Sequence, residues 1–255
     1  MTSPATATTI KERLEGVRGR IAAAAVKADR KPSDVVLMGA TKAVPPEAIV
    51  EACKLGLCEI GENWVQEAEP KVAAVRKALA GTGHRISWHM IGHLQRNKAK
   101  DALAVFDAID TLDNLRLAQE LSKRASAAGR DVPIFLEVDY TDEAERTGFR
   151  LGKEPDGALL DNFLRDVDGI VSLPHLILEG LMTVPAPTED PEGARPAFPR
   201  LRELRDLLNR RFPQAPCRHL SMGMTHDYIV AIQEGATIVR LGTAIFGPRP
   251  PGRTY

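Results

Sequence analysis

The chain's 255 residues are 44% hydrophobic and 27% charged, and 34 basic side chains balance 34 acidic ones. With no cationic surplus to neutralise a phosphate backbone, nucleic acid is not an expected partner. Cys53, Cys58 and Cys217 fit neither a disulfide framework nor paired zinc-ligand spacing, so a reducing compartment is expected.

The opening MTSPATATTI lacks the basic and apolar regions of a signal peptide, and no apolar run reaches the length of a membrane span. The expectation is a cytoplasmic protein with no membrane partner. Residues 10–30 read as a helix, with Ile10, Leu14, Val17, Ile21 and Ala25 recurring at three- and four-residue steps. The turn KPSD then leads into a strand, VVLMGAT, at 35–41. From there the two periods alternate. Strands are expected at CEIGE (58–62), ISWHMIG (86–92), FDAIDTL (106–112), PIFLEVD (133–139), LILEGLMTV (176–184), CRHLSMG (217–223) and TIVRLGT (237–243). Helical patterns lie between them at 46–55, 64–80, 96–103, 114–128, 156–168, 193–211 and 227–234.

Eight short apolar strands, buried on both faces and alternating with helices, predict a single-domain (β/α)8 barrel with an extra N-terminal helix. A doubly wound open sheet is the alternative, but no G-x-G-x-x-G follows the first strand and no Walker A sequence occurs. The ends, 1–9 and 250–255, are expected to be flexible. The segment PAPTEDPEGARP (185–196) follows the sixth strand on the face where such barrels build their sites, and reads as a solvated connector in preference to a mobile lid.

A barrel gathers its strand ends on one face. Lys42 ends the first strand, Asn63 follows the second, His89 lies in the third, and Met182 and Thr183 are near the end of the sixth. SMGMTHD supplies Ser221, Gly223 and the helix-start residues Thr225 and Asp227; RLGTAIFG supplies Arg240, Gly242 and Thr243. Two glycine-containing turns after strands seven and eight suit a phosphate, because glycine lets the backbone approach a ligand and helix-start amides point outward unpaired.

A lysine amine facing that cradle across the mouth could hold a phosphorylated aldehyde as a Schiff base. Arg240 could then meet a ring nitrogen, or else pair with a strand-end carboxylate such as Glu137. His89 and His93 have H-x-x-x-H spacing, but strand composition and the lack of a third ligand argue against a metal.

These segments resemble the pyridoxal 5′-phosphate homeostasis proteins, single-domain relatives of the alanine racemase N-terminal barrel. ATKAVPPEAI, GENWVQEA, WHMIGHLQRNK, LEGLMTVPAP, HLSMGMTHDY and IVRLGTAIFG look like the family's signatures in order, over residues 10–249. The resemblance implies pyridoxal 5′-phosphate held as a Schiff base on Lys42. It also implies phosphate contacts at Ser221, Gly223, Gly242 and Thr243, Arg240 at the pyridine nitrogen, and Asn63 and Met224 near the cofactor. Thr225 and Arg146 depart from the residues frequent at their positions.

Related racemases add a β-rich domain carrying a tyrosine base, for which PRPPGRTY leaves no room. The expectation is therefore a monomeric vitamin B6 carrier that buffers the cofactor and delivers it to apo-enzymes, with no catalytic residues. A single-domain racemase or related enzyme is the alternative, and a Schiff-base aldolase acting on a phosphorylated sugar is a third reading.

Overall fold

The computed structural model describes residues 8–154 and 156–248. Nine strands form one sheet: β1 Val36–Ala40, β2 Glu59–Glu62, β3 Ser87–Met90, β4 Ala108–Leu112, β5 Val132–Asp139, β6 Phe149–Arg150, β7 Leu176–Met182, β8 His219–Ser221 and β9 Ile238–Leu241. All pairings are parallel. β1 is hydrogen-bonded to both β2 and β9, and β4 to β5, so eight strands close into a barrel. The two-residue β6, absent from the sequence reading, pairs only with the end of β5, Val138 opposite Phe149.

Alternation along each strand sorts side chains into two layers. On β9, Val239 and Leu241 join the large outer core beneath the helices, while Ile238 joins Met38, Phe135 and Met182 in a small cluster inside the barrel. Every residue of β4 is buried, as expected of a strand covered on both sides.

The helices start where local chemistry favours them. Helix α1, Ile10–Lys27, opens with a capping box in which Thr9 and Glu12 satisfy each other's amides, and buries Leu14, Val17, Ile21, Ala24 and Ala25. It packs on α8, Tyr228–Gln233, and α9, Thr243–Phe246. Of the ends expected to be flexible, Thr9 forms this cap, and residues 1–7 and 250–255 lie outside the described residues.

Helix α2, Pro46–Lys54, begins at a proline whose missing amide would be unpaired there in any case. α3 spans Val65–Ala78, α4 Ala99–Val105, α5 Leu115–Ala128, α6 Gly157–Val171 and α7 Ala197–Arg211. The helices expected at 96–103 and 193–211 each begin as a 3-10 turn, Arg96–Lys98 and Pro191–Ala194. That second turn lies in the proline-rich segment, where Arg195 donates to Glu234 and Gln233.

Candidate functional site at the C-terminal mouth of the barrel

Lys42 sits in a turn between β1 and α2, closed by Val44 N–H donating to Thr41 O at 2.9 Å. Ala43 adopts the left-handed conformation, φ 61°, which L-residues avoid unless their surroundings enforce it. The enforcement comes from α3. Glu67 Oε1 accepts from Ala43 N–H at 2.8 Å, and Lys71 Nζ donates to Thr41 O at 2.8 Å. Lys71 also donates to Glu62 Oε1 at 2.8 Å and Glu67 Oε1 at 2.7 Å, and Thr41 Oγ1 donates to Glu62 Oε1 at 2.6 Å.

Lys71 is buried and fully engaged, whereas Lys42 is half-buried and has no hydrogen bond or ion pair among the described residues. Burial pushes the Glu62 carboxyl up, with Lys71 pulling it back. Burial also acts to raise Glu67, but the Lys71 and Ala43 hydrogen bonds and the charges of Lys71 and Lys42 outweigh it and hold that carboxyl below the usual range.

Arg240, in register with Met38, is only 5% exposed. Its guanidinium donates to Ser221 Oγ at 2.8 Å and to Thr183 O at 2.9 Å. The ion pair with Glu137 does not form: Glu137 accepts from Thr147 Oγ1 at 3.2 and 3.3 Å. Burial lowers the guanidinium pKa, opposed by the charges of Asp110, Asp227 and Glu137. The Ser221 side chain is buried and its Oγ accepts from Arg240, which leaves its own O–H to donate.

The Gly242 turn lies beside the Lys42 turn, and the Gly223 turn is one strand further round the barrel. The sequence reading set both turns across the mouth; the β1–β9 pairing makes the Gly242 turn a neighbour, and a Cβ at Gly242 would come 3.1 Å from Ala40 O. Gly223 has φ 94°, and a Cβ there would fall 2.6 Å from Ala231 Cβ and 2.9 Å from Tyr228 Cα, so only glycine fits against α8. Asp227 closes this turn by accepting from Met224 N–H at 2.6 Å, and it makes no side-chain cap bond to α8.

Thr243 Oγ1 reaches Thr225 Oγ1 at 3.5 Å, joining the two turns. Among the described residues the amides of Thr225, Thr243 and Ala244 donate to no protein acceptor. Met224 and Thr243 are exposed at the same rim. Asn63 is half-buried, with its backbone pressed against Gly92, where a Cβ would meet Asn63 O at 2.3 Å.

His89 is not a mouth residue. Its side chain lies between Asp110 Oδ1 and Glu59 Oε2, both at 2.8 Å, and lines a cavity of about 270 Å³ at the strand starts with Glu59, Ser87, Phe135, Glu179 and His219. Burial acts to lower its pKa, yet the two carboxylates prevail and raise it to about 10. No group of three metal-ligating side chains occurs among the described residues. The Glu62, Glu67 and Lys71 network escaped the sequence reading, although the Glu67–Lys71 spacing of four on a helical pattern was a visible signal.

Residues 7–250 match the family model described as alanine racemase, N-terminal domain. The chain is 42% identical over 238 residues to a pyridoxal phosphate homeostasis protein of Aquifex aeolicus, covering 93% of this chain and 97% of that one. It superposes on PipY of Synechococcus elongatus with pyridoxal phosphate bound, at TM-score 0.76 and 31% identity, over 94% of this chain and all of the other. The fold also matches Clostridium difficile alanine racemase, at TM-score 0.63 and 16% identity, over 91% of this chain and 60% of the racemase. The chain belongs to the pyridoxal phosphate homeostasis protein family, built on the alanine racemase N-terminal barrel.

Proposed function

We propose that this protein binds pyridoxal 5′-phosphate through an imine on Lys42 and acts as an intracellular carrier that passes it to apo-enzymes. The observation that carries the reading is the Lys42 turn: a lysine without a partner among the described residues, on a braced backbone, beside the Gly242 turn, which Thr243 joins to the Gly223 turn.

The residues present fit the cofactor. The amides of Thr225, Thr243 and Ala244 and the Thr243 hydroxyl would hold the phosphate, in a space that a Cβ at Gly223 or Gly242 would disturb. Arg240, permanently charged, would donate to the pyridine nitrogen and keep a proton off it, which weakens electron withdrawal by the ring. When bound, the cofactor supplies an aldehyde that condenses with an amine, the new C–N double bond forming as the carbonyl oxygen leaves as water. Lys42 would contribute the amine, and exchange with a second amine would release the cargo.

The carrier role, rather than catalysis, is supported by the tyrosines. Tyr228 hydroxyl accepts from Arg20 Nε at 2.7 Å and Tyr140 lies under Arg200, so both described tyrosines are engaged away from the Lys42 turn.

The test is the absorption spectrum before and after borohydride, followed by peptide mapping, in wild type and Lys42→Ala. A visible imine band that collapses on reduction, with the label on Lys42, is expected. A spectrum that stays blank after incubation with pyridoxal phosphate would overturn the proposal, and undiminished trapping in Lys42→Ala would move the anchor to another lysine. Racemisation of alanine by the wild type would replace the carrier role with an enzymatic one.

A further inference from the structure

The buried cation beneath the turn has a function of its own. We propose that Lys71 is a positioning residue that occupies the carboxylates of Glu62 and Glu67 so that Lys42 stays free to form its imine. The inference rests on the proposed role of Lys42 as anchor.

Three observations support it. First, the network grips both flanks of Lys42 and not Lys42 itself: Lys71 Nζ holds Thr41 O, and Glu67 Oε1 holds Ala43 N–H. A brace needed only for folding has no reason to converge on one turn whose central residue is left unpaired. Second, the charges are uneven. Two carboxylates share one ammonium within 2.8 Å, leaving a formal surplus of one negative charge beside Lys42. Third, that surplus reaches Lys42, whose charge helps to hold the Glu67 carboxyl below its usual range. Oxygens Glu62 Oε2 and Glu67 Oε2 are also buried with no hydrogen-bond partner, so the carboxylates retain acceptor capacity for another cation.

The consequence follows from electrostatics. A carboxylate within about 4–6 Å of an amine favours its charged form, and an ammonium cannot attack an aldehyde. With Lys71 in place, Glu62 Oε1 and Glu67 Oε1 both accept from its ammonium, which offsets their charge. Without it, Glu67 would be free to draw in Lys42 and hold it protonated. The other charged groups on elements against the turn are Glu47, Glu51 and Lys54 on α2, Glu59 on β2, Glu69, Arg76 and Lys77 on α3, and Arg240 on β9; none bonds to the turn, and Arg240 donates to Ser221 and Thr183.

The experiment measures imine formation on Lys42 by borohydride trapping and mass spectrometry, across pH, after incubation with pyridoxal phosphate. Wild type, Lys71→Met, Lys71→Arg and the double variant Lys71→Met, Glu67→Gln are compared. In Lys71→Met the half-trapping pH is expected to rise by about one unit or more, the effect of a neighbouring carboxylate left without its cation. Removing Glu67 in the same chain should bring it back toward wild type, and Lys71→Arg should keep it there.

A Lys71→Met protein that folds, by thermal unfolding, and traps with the wild-type midpoint overturns the proposal. If Lys71→Met does not fold, Glu67→Gln decides: the midpoint should fall, and an unchanged midpoint refutes the role. Absence of any Lys42 label in the wild type would instead sink the anchor assignment itself.

Discussion

The barrel interior holds two buried cations treated in opposite ways. His89, toward the strand starts, is clamped at 2.8 Å by Asp110 and by Glu59. Arg240, toward the strand ends, donates only to neutral oxygens, Ser221 Oγ and Thr183 O, while Asp110, Asp227 and Glu137 act on it without bonding. A buried charge is costly unless paired, so a fully paired one belongs to the scaffold. An arginine held by neutral oxygens has kept its charge available. On the proposed function, the difference separates the end of the barrel that serves stability from the end that would serve binding.

The comparison breaks first at His89. Substituting His89→Leu leaves Asp110 and Glu59 without their cation and is expected to cost about 3–5 kcal/mol in urea unfolding near neutrality. The cost depends on pH in a definite direction. His89 has its folded pKa raised from 6.5 to about 10, so the stability it contributes is complete below 6.5 and is lost as the pH rises toward 10. Wild type and variant should therefore converge in alkali. Cofactor retention by the folded variant is expected to match wild type. A loss below about 1 kcal/mol at neutrality would show that the clamp is not structural.

Arg240→Gln should show the reverse pattern. Loss of one charge-assisted hydrogen bond, about 1.5–3 kcal/mol, predicts roughly ten- to hundredfold weaker retention of pyridoxal phosphate, with a smaller change in unfolding free energy. Dialysis against a competing apo-enzyme, beside urea unfolding of the cofactor-free protein, measures both. Should stability fall while retention holds, Arg240 would join His89 as scaffold.

Much of this contrast was legible in the sequence at one end only. Strand ends announce themselves: LMGATK and IVRLGT pass from apolar runs into glycine, so Lys42, Arg240, Gly223 and Gly242 could be placed near the mouth from the chain alone. The eight barrel strands were legible for the same reason, because apolar runs buried on both faces carry their own signal. Partners distant in sequence were not. Glu59 and Asp110 meet His89 across 30 and 21 residues, and alternation alone does not say whether a strand histidine points down toward the strand starts or up to the mouth. Lys71 is one of several charges on its helix, and only folding sets it under Thr41 O. Turn composition likewise places the Ser221 hydroxyl near the mouth without showing that it accepts from Arg240.

The smallest expected effect tests how complete the contrast is. Glu137 is the carboxylate on β5 that could have been the counterion of Arg240, and its environment explains why it is a poor one. Burial pushes its carboxyl up, Asp113 and Asp139 add to the rise, and Thr147 and the charge of Arg240 pull back without prevailing, so it reaches about 7. Near neutrality it is then only partly ionised. Because the folded protein holds this proton more tightly than the unfolded chain, stability should decline as pH rises from 4.5 to about 7 and the contribution should be level above that. Glu137→Gln removes the titrating group and is expected to flatten the unfolding free energy over that window. Equal slopes in wild type and variant would mean that Glu137 is ionised throughout, and Arg240 would then have a carboxylate counterion after all, as His89 has.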